Sequence, residues 1–256
     1  MKTFRLLFTF FAMTFLISCS QNKEEIDLKF NPKIGDQHTI VSQMVTTGNE
    51  QMSMKSTMVV RFKVTSKDNE NVYTLLSDLR TIKMETKMFG EVEKYDSTKD
   101  ESLMTTDERS MHEEFKNALE SNFEIRIDEK GNIVEPFHAI NGNPSTEAII
   151  DIDNIQLVFP KEKVTVGSEW KNEKTNPLTA QKTHSTYTIK DITESEIIIS
   201  VAAEIDGVSG LLGKSKVEGE YILNKKDCTL IKGTLAMDLQ MGGKVTNTYY
   251  KKMPKK

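Results

Sequence analysis

The stretch QMSMKSTMVVRFKVT, residues 51–65, alternates apolar and polar side chains over most of its length. Its even-numbered positions are apolar apart from Ser56. These apolar residues are Met52, Met54, Met58, Val60, Phe62 and Val64. A period of two predicts a strand with one buried face. At roughly 3.3 Å per residue the strand would extend about 45 Å, so it must coil or bend to enclose its apolar face.

The same period recurs along the chain, in residues 82–88, 197–205 and 235–241. Residues 245–250 indicate a final strand, and residues 123–137 (FEIRIDEKGNIVEPF) read as a hairpin. We therefore predict a mainly β fold with minor α content. The strands would form long, curved antiparallel sheets that are half-barrel or sandwich-like.

Proline positions suggest how the chain is divided. Four of its prolines fall between Pro136 and Pro177, and long proline-free stretches lie on either side. Since proline is excluded from central strands, we predict two β halves around a connector. The predicted boundaries are 28–135 for the first half, 136–162 for the connector and 163–256 for the second half.

The two halves resemble diverged repeats. IGDQH at 34–38 aligns with VGSEW at 166–170, and the fifteen residues from Phe62 align with those from Tyr187. The first pair shares a glycine turn followed by a polar pair and an aromatic ring. The second pair reads as a strand, a polar turn and a strand.

Two helices are predicted. The first, about 106–121, begins at the capping-box pattern Thr105-x-x-Glu108 and carries apolar residues on one face. The second lies in the connector, where Asn143 can cap and Pro144 can occupy the first helical position.

The N-terminus, MKTFRLLFTFFAMTFLISCS, has two early positive charges and an apolar run too short to cross a bilayer. We predict a signal peptide over residues 1–18. The sequence LISC at 16–19 resembles the lipobox of bacterial lipoproteins. This resemblance implies cleavage before Cys19, lipid attachment including an acyl chain such as palmitate, and a lipid anchor and tether over 19–27. Two or three lipid chains make such an anchor effectively permanent.

Residues Ser20 to Glu25 bear on location. Ser20 is not the aspartate that usually retains lipoproteins at the inner membrane, so we expect attachment to the outer membrane of a cell envelope. Lys23-Glu24-Glu25 looks like a short surface-export tag. Both the periplasmic face and the cell surface remain open.

Charge and cysteine content exclude other classes. The full chain has a formal net charge of −4, which does not suit a nucleic-acid partner. After removal of the signal peptide, Cys228 is the only cysteine besides Cys19, so no intramolecular disulfide is expected. Cys228 reads either as a reactive thiol beside lysines or as a residue without chemical role.

No catalytic constellation, cofactor motif or metal site emerges, and we expect no enzyme activity. His112-Glu113 lacks the second histidine of a zinc protease motif at Lys116. His38, His138 and His184 are isolated in the sequence, although an enzyme would be supported if they converged on acids in one cleft.

Methionines are the most distinctive candidates. They could present thioethers to a soft metal such as Cu(I), but the same strand face continues into aliphatic residues. Methionine is a flexible filler of apolar surfaces, which favours a core or a pocket wall. The candidate ligand-binding residues are Met52, Met54, Met58, Phe62, Met84 and Met88.

The chain resembles the uncharacterised outer-membrane-type lipoproteins with a repeated β domain. The likeness is carried by LISC at 16–19, KIGDQH at 33–38, IDEKGNIVE at 127–135, and the pattern Phe159-Pro160-x-x-x-Val164-x-Val166-Gly167-x-x-Trp170. It implies a layout and no activity.

We expect a non-catalytic envelope lipoprotein that binds a lipid, another apolar ligand or a partner segment on a concave sheet face. The alternative is a fully packed structural or interaction lipoprotein that contacts another envelope protein. An enclosed apolar void would favour the first, and a tightly packed interior the second.

Overall fold

The computed structural model describes residues 24–48, 52–141, 157–175, 181–206, 214–239 and 243–252. The predicted signal peptide, Cys19 and the start of the predicted connector helix lie outside these ranges. Within the described residues, no helix combines the length and apolar character needed to span a bilayer.

Twelve strands, one α-helix and one short 3₁₀ helix make up the described secondary structure. The strands are β1 (Gln37–Thr47), β2 (Met52–Lys67), β3 (Tyr73–Met88), β4 (Glu91–Asp96), β5 (Asn122–Ile127), β6 (Ile133–Asn141), β7 (Glu169–Thr175), β8 (Lys182–Ile192), β9 (Glu196–Ile205), β10 (Ser215–Asn224), β11 (Leu230–Asp238) and β12 (Lys244–Lys251). The 3₁₀ helix covers Glu101–Leu103, and helix α1 covers Thr106–Glu120. The predicted mainly β fold with minor α content is confirmed.

All twelve strands belong to one antiparallel sheet. Eleven of them follow the order β6-β5-β3-β2-β1-β12-β11-β10-β9-β8-β7, and β4 pairs with β3 beside this path. The sheet curves around its core without closing into a barrel, because the described parts of β6 and β7 form its two edges. This matches the predicted half-barrel and not the sandwich. Pro136 lies in edge strand β6, where a missing backbone donor is tolerated.

The alternating stretch at residues 51–65 forms most of β2, which pairs with β3 along its length. Each of these strands contains 16 residues, about three times the usual length. The predicted long strand is therefore confirmed. Two register shifts, one between Val59 and Val60 and one between Val64 and Ser66, interrupt the ladder. Such bulges increase local twist and help a long strand to bend.

The predicted first helix is present as α1, and its capping box is formed. Thr105 Oγ1 accepts from Glu108 N at 3.2 Å, and a Glu108 carboxylate oxygen accepts from Thr105 N at 2.7 Å. The helix connects β4 to β5, and both of these strands pair with the same edge of β3.

The two aligned glycine turns have the same backbone arrangement. Gly35 and Gly167 both adopt φ of 91°, which favours glycine over residues with a side chain. Gly35 N donates to Val64 O at 2.8 Å, and Gly167 N donates to Ile189 O at 2.9 Å. The alignment that matches Phe62 to Tyr187 also matches Val64 to Ile189, so the repeat is supported by equivalent contacts.

The sheet has two distinct ends. We call residues 24–36 the strap. The strap crosses turns of both halves at one end of the sheet, which we call the strap end. At the methionine end lie the first residues of β2 and the last residues of β3. Core residues from both halves meet beneath the strap and form one cluster. Its members with at most 1% exposure include Leu28, Val64, Tyr73, Phe123, Ile125, Ile189, Ile197, Ile199 and Leu223.

Candidate functional site

The predicted methionines come together on the inner face of the sheet, at the methionine end. Met52 pairs with Met88 across the ladder between β2 and β3. Residues directly opposite in an antiparallel pair share one face, so the inner positions can be read from the register. We define the methionine face as Met44, Met52, Met54, Met58, Met84 and Met88.

Exposure rises along the methionine face toward the end of the strands. Met58 and Met84 are half-buried and pack against the core. Met54 is also half-buried, whereas Met52 is 46% exposed and Met88 is 44% exposed. Thus a graded apolar surface links the core to solvent.

Phe62, the remaining predicted ligand residue, lies away from the exposed methionines. It is only 7% exposed within the core and pairs with His38 on β1 and Ser77 on β3. The structure therefore brings the five predicted methionines together and places Phe62 in the packed interior.

Helix α1 covers part of the inner face next to the methionines. Tyr95 of β4 lies opposite Met84, is 2% exposed, and stacks on Phe115 of α1 with ring centroids 5.6 Å apart. Its hydroxyl lies 3.0 Å from His112 Nδ1. Burial raises the pKa of Tyr95, with a smaller contribution from the charge of Asp96. The phenol therefore stays neutral and fixes the helix on the sheet.

A polar cleft of about 240 Å³ lies between α1 and the bulge in β3. Side chains of both charges line it, together with Ser97 and two leucines. The charged and titratable lining residues are Asp78, Arg80, His112, Lys116 and Glu120. Asp78 also accepts a hydrogen bond from Arg61 Nε at 2.9 Å. This cleft is polar and open, so it is not the enclosed apolar void that would mark a carrier interior.

His38 lies at the strap end, on the inner side of β1. Neither ring nitrogen has a hydrogen-bond partner within the described residues, and both nitrogens are buried. Burial is the main cause that lowers its pKa, and the charge of Lys251 lowers it further, whereas Asp227 and Asp36 oppose the shift. His38 is therefore held in its neutral form.

Cys228 occupies the turn between β10 and β11. It is 6% exposed, and burial is the main cause that raises the pKa of its thiol to about 11. Because the thiolate is the reactive species, this position favours the interpretation that Cys228 has no chemical role.

The three isolated histidines lie on separate strands. His38 is in β1, His138 in β6 and His184 in β8. His184 faces carboxylates of Glu173 at 3.2 Å and Asp206 at 3.4 Å. Across the part of the chain that the structure describes, no three His, Cys, Asp or Glu residues are grouped to hold a metal ion.

Two features of this region were missed by the sequence reasoning. Met44 joins the methionine face because it pairs with Ser56, but β1 has apolar residues on both faces, which hides its period. The strap overlaps the predicted tether (19–27) and the start of the predicted first half (28–135). Its burial could not be predicted locally, because it depends on turns more than 90 residues away in sequence. A signal was available in the alternation of Ile26, Leu28 and Phe30.

Part of the chain matches a family model that has no assigned role. A family of unknown function (DUF6263) matches residues 145–250, which cover most of the second half. No curated protein matches the chain significantly.

Among solved structures, one described as "Lipid-protein interactions in lipovitellin" has a similar fold. It aligns over 88% of this chain and 25% of its own, with a TM-score of 0.55 and 11% sequence identity. The present chain therefore spans about a quarter of that protein, and the likeness concerns the fold alone.

Proposed function

We propose that this protein is a non-catalytic envelope lipoprotein that binds an apolar ligand, such as a lipid, on the methionine face. The observation that carries the proposal is the gradient of burial on one sheet face. On β2, Val64 at the strap end is 0% exposed, whereas Met52 and its partner Met88 at the other end remain about half exposed.

Methionine suits such a surface. Its unbranched, polarizable side chain adapts to irregular apolar shapes and is overused at binding surfaces that accept varied partners. Several methionines in neighbouring ladder positions supply apolar area without fixing one shape. The outward-facing side chains of these strands are polar, with Lys55 opposite Glu85. They keep the outer face of the sheet compatible with water.

The membrane anchor is proposed on the lipobox at Cys19 and the tether that follows it. Two or three lipid chains would hold the protein to the outer membrane without a spanning helix. The similarity to a lipovitellin structure described by its lipid–protein interactions agrees with a lipid ligand. At 11% identity it is an analogy of fold.

Native mass spectrometry tests ligand binding. Residues 20–256, purified from a bacterial host, would be weighed intact and then extracted with solvent. We expect excess mass that extracts as a lipid or another apolar molecule. A bare polypeptide mass after gentle purification would contradict the proposal.

A double variant locates the ligand. Met54→Gln with Met58→Gln keeps unbranched side chains but adds polar amides, so we expect loss of the extra mass. The matched control, Met54→Leu with Met58→Leu, keeps the apolar character and should retain it. Equal retention by both variants would place the ligand elsewhere.

The alternative function is a packed interaction lipoprotein. It is favoured by the filled strap end and by the coverage that α1 gives to β3 and β4, where Tyr95 is 2% exposed. Under this alternative the purified protein carries no ligand, and cross-linking in the intact envelope captures a protein neighbour.

A further inference from the structure

We infer that the ligand of the methionine face is a cationic amphiphile, that is, an apolar chain with a positively charged headgroup. This inference rests on the proposed function and deepens it by naming the chemical class of the ligand. The methionines supply apolar surface for the chain, and Glu91 and Glu93 of β4 supply negative charge for the headgroup.

These two glutamates lie on the same face of the sheet as the methionines. In the ladder between β3 and β4, Glu91 is opposite Met88 and Glu93 is opposite Thr86. Thr86 is in turn opposite Met54 on β2. Directly opposite residues of antiparallel strands share one face, and neighbouring strands are roughly 4.8 Å apart. Each glutamate therefore lies about two strand spacings, or roughly 10 Å, from a methionine of β2.

The inner glutamates differ from the acids on the outer face of the same hairpin. A carboxylate oxygen of Glu85 lies 3.1 Å from Lys94 Nζ, and Asp96 accepts a hydrogen bond from Lys83 Nζ at 2.6 Å. The two inner glutamates are exposed, and neither forms an ion pair within the part of the chain that the structure describes. The outer acids are thus paired within the hairpin, whereas the inner ones remain available to a ligand.

The described inner positions nearby carry no basic residue that would balance this charge. At the methionine end, β2 and β3 present methionine, serine, threonine and isoleucine on this face. The inner positions of β1, β12 and β11 are also neutral. They are Ser42, Met44, Thr46, Val245, Asn247, Leu235 and Met237. A cation on this face therefore meets carboxylates without a competing lysine or arginine.

The segment that borders the methionine face adds to the negative potential. Residues 91–120 form β4, the 3₁₀ helix and α1, and they contain ten acids and four bases. Helix α1 packs over β3 and β4, so this charge is held beside the methionines. A surplus of one sign of charge raises the local concentration of oppositely charged ligands. An anionic headgroup would be repelled.

The length of the face suits an extended alkyl chain. Six residue steps separate Met52 from Met58 along β2, or roughly 20 Å at about 3.3 Å per residue. Met58 packs against the core, whereas Met52 is 46% exposed. Since a charged group stays in water, the headgroup lies at the exposed end next to Glu91 and the tail points toward Met58.

Three ligands with similar tails and different headgroups test this inference. Residues 20–256, which contain every described residue, would be titrated by calorimetry at pH 8 and low ionic strength, below the critical micelle concentrations. The ligands are dodecyltrimethylammonium, the neutral dodecyldimethylamine oxide and the anionic dodecanoate. We expect the cation to bind at least about threefold more tightly than the neutral ligand, because two exposed carboxylates each contribute about 0.2–1 kcal/mol. Dodecanoate should bind most weakly.

Charge-neutral variants locate the headgroup. Glu91→Gln with Glu93→Gln keeps the shape of both side chains, so the preference for the cation should disappear while the affinity for the neutral ligand is unchanged. Glu85→Gln, on the outer face, is the matched control and should keep the preference. A preference that survives in the double glutamine variant would overturn the inference.

The outcomes separate this inference from the proposed function. Equal or tighter binding of the neutral or anionic ligand by the natural protein would overturn the inference and leave the apolar site in place. No binding of any of the three would refute the proposed function and the inference with it. Undiminished binding of the cation by the variant Met54→Gln with Met58→Gln would place the ligand outside the methionine face and would also overturn the inference.

Discussion

The strap end and the methionine end belong to the same strands but are buried to different degrees. On β2, Val64 is completely buried, whereas Met52 on the same face is 46% exposed. The alternation of apolar residues is the same at both positions. The difference shows that alternation identifies the inner face of a sheet, and that other parts of the chain decide whether this face is covered.

The cover at the strap end comes from two distant segments. The strap contributes Leu28 and Phe30, and residues 157–164 contribute Leu157 and Phe159. At the methionine end, α1 packs over β3 and β4. The strap end is therefore sealed by distant segments, whereas Met52 and Met88 at the methionine end leave apolar surface exposed.

The largest expected effect is at the strap. Leu28→Ala removes a completely buried side chain, so we expect the free energy of unfolding to fall by about 3 kcal/mol, or roughly 100-fold in the folding equilibrium. Urea unfolding followed by circular dichroism measures it. Ile34→Ala, at a strap position that is 63% exposed, is the control and should change little. A similar loss for both variants would contradict the comparison.

Thiol reactivity gives the next effect. With a pKa of about 11 in place of the usual 9.0, the Cys228 thiolate is about 100-fold scarcer near pH 8, before steric protection is counted. We expect alkylation by iodoacetamide to be slowed at least by that factor relative to the urea-unfolded chain. A cysteine introduced by Glu91→Cys, at an exposed position of the methionine end, should react at nearly the unfolded rate. Rapid labelling of Cys228 in the folded protein would show that the strap end opens.

The helix cap gives a smaller effect. Thr105→Ala removes one side of the capping box and should cost about 1 kcal/mol of stability. Thr106→Ala, one residue later and within the helix, serves as the control. If the two variants unfold at the same urea concentration, the cap does not contribute to holding α1 over the sheet.

The smallest effect is expected at the methionine rim. Met52→Ala should change the free energy of unfolding by no more than about 0.5 kcal/mol, because much of the side chain is already in water. The same variant should still weaken retention of an apolar ligand in native mass spectra. A loss above about 1 kcal/mol would mean that this end is packed as firmly as the strap end.

Much of the secondary structure could be predicted from local patterns. The period of two in residues 51–65 gave β2, and the pattern Thr105-x-x-Glu108 gave the start of α1. The glycine turns at Gly35 and Gly167 gave the repeat. Each of these signals is contained in a few neighbouring residues, because strand faces, helix caps and left-handed turns are set by local backbone geometry.

The candidate site could be predicted only in part. The five candidate methionines lie on one face of the sheet, since β2 and β3 are adjacent in sequence and pair directly. Phe62 was grouped with them because it also occupies an even-numbered position on the inner face of β2. It lies closer to the strap end, however, and is part of the core. Met44 was not predicted, because its pairing with Ser56 depends on the register between β1 and β2.

The sequence by itself determined the mainly β class, the long strands, the capped helix and the two related turns. The tertiary structure decided that β1 pairs with β12, which joins both halves into one curved sheet, and that the strap seals one end while methionines line the other. The physical reason is that alternation and capping depend on near neighbours. Register and cover depend on contacts between residues as far apart as Glu24 and Lys225, whose free energy is gained only once the chain has folded.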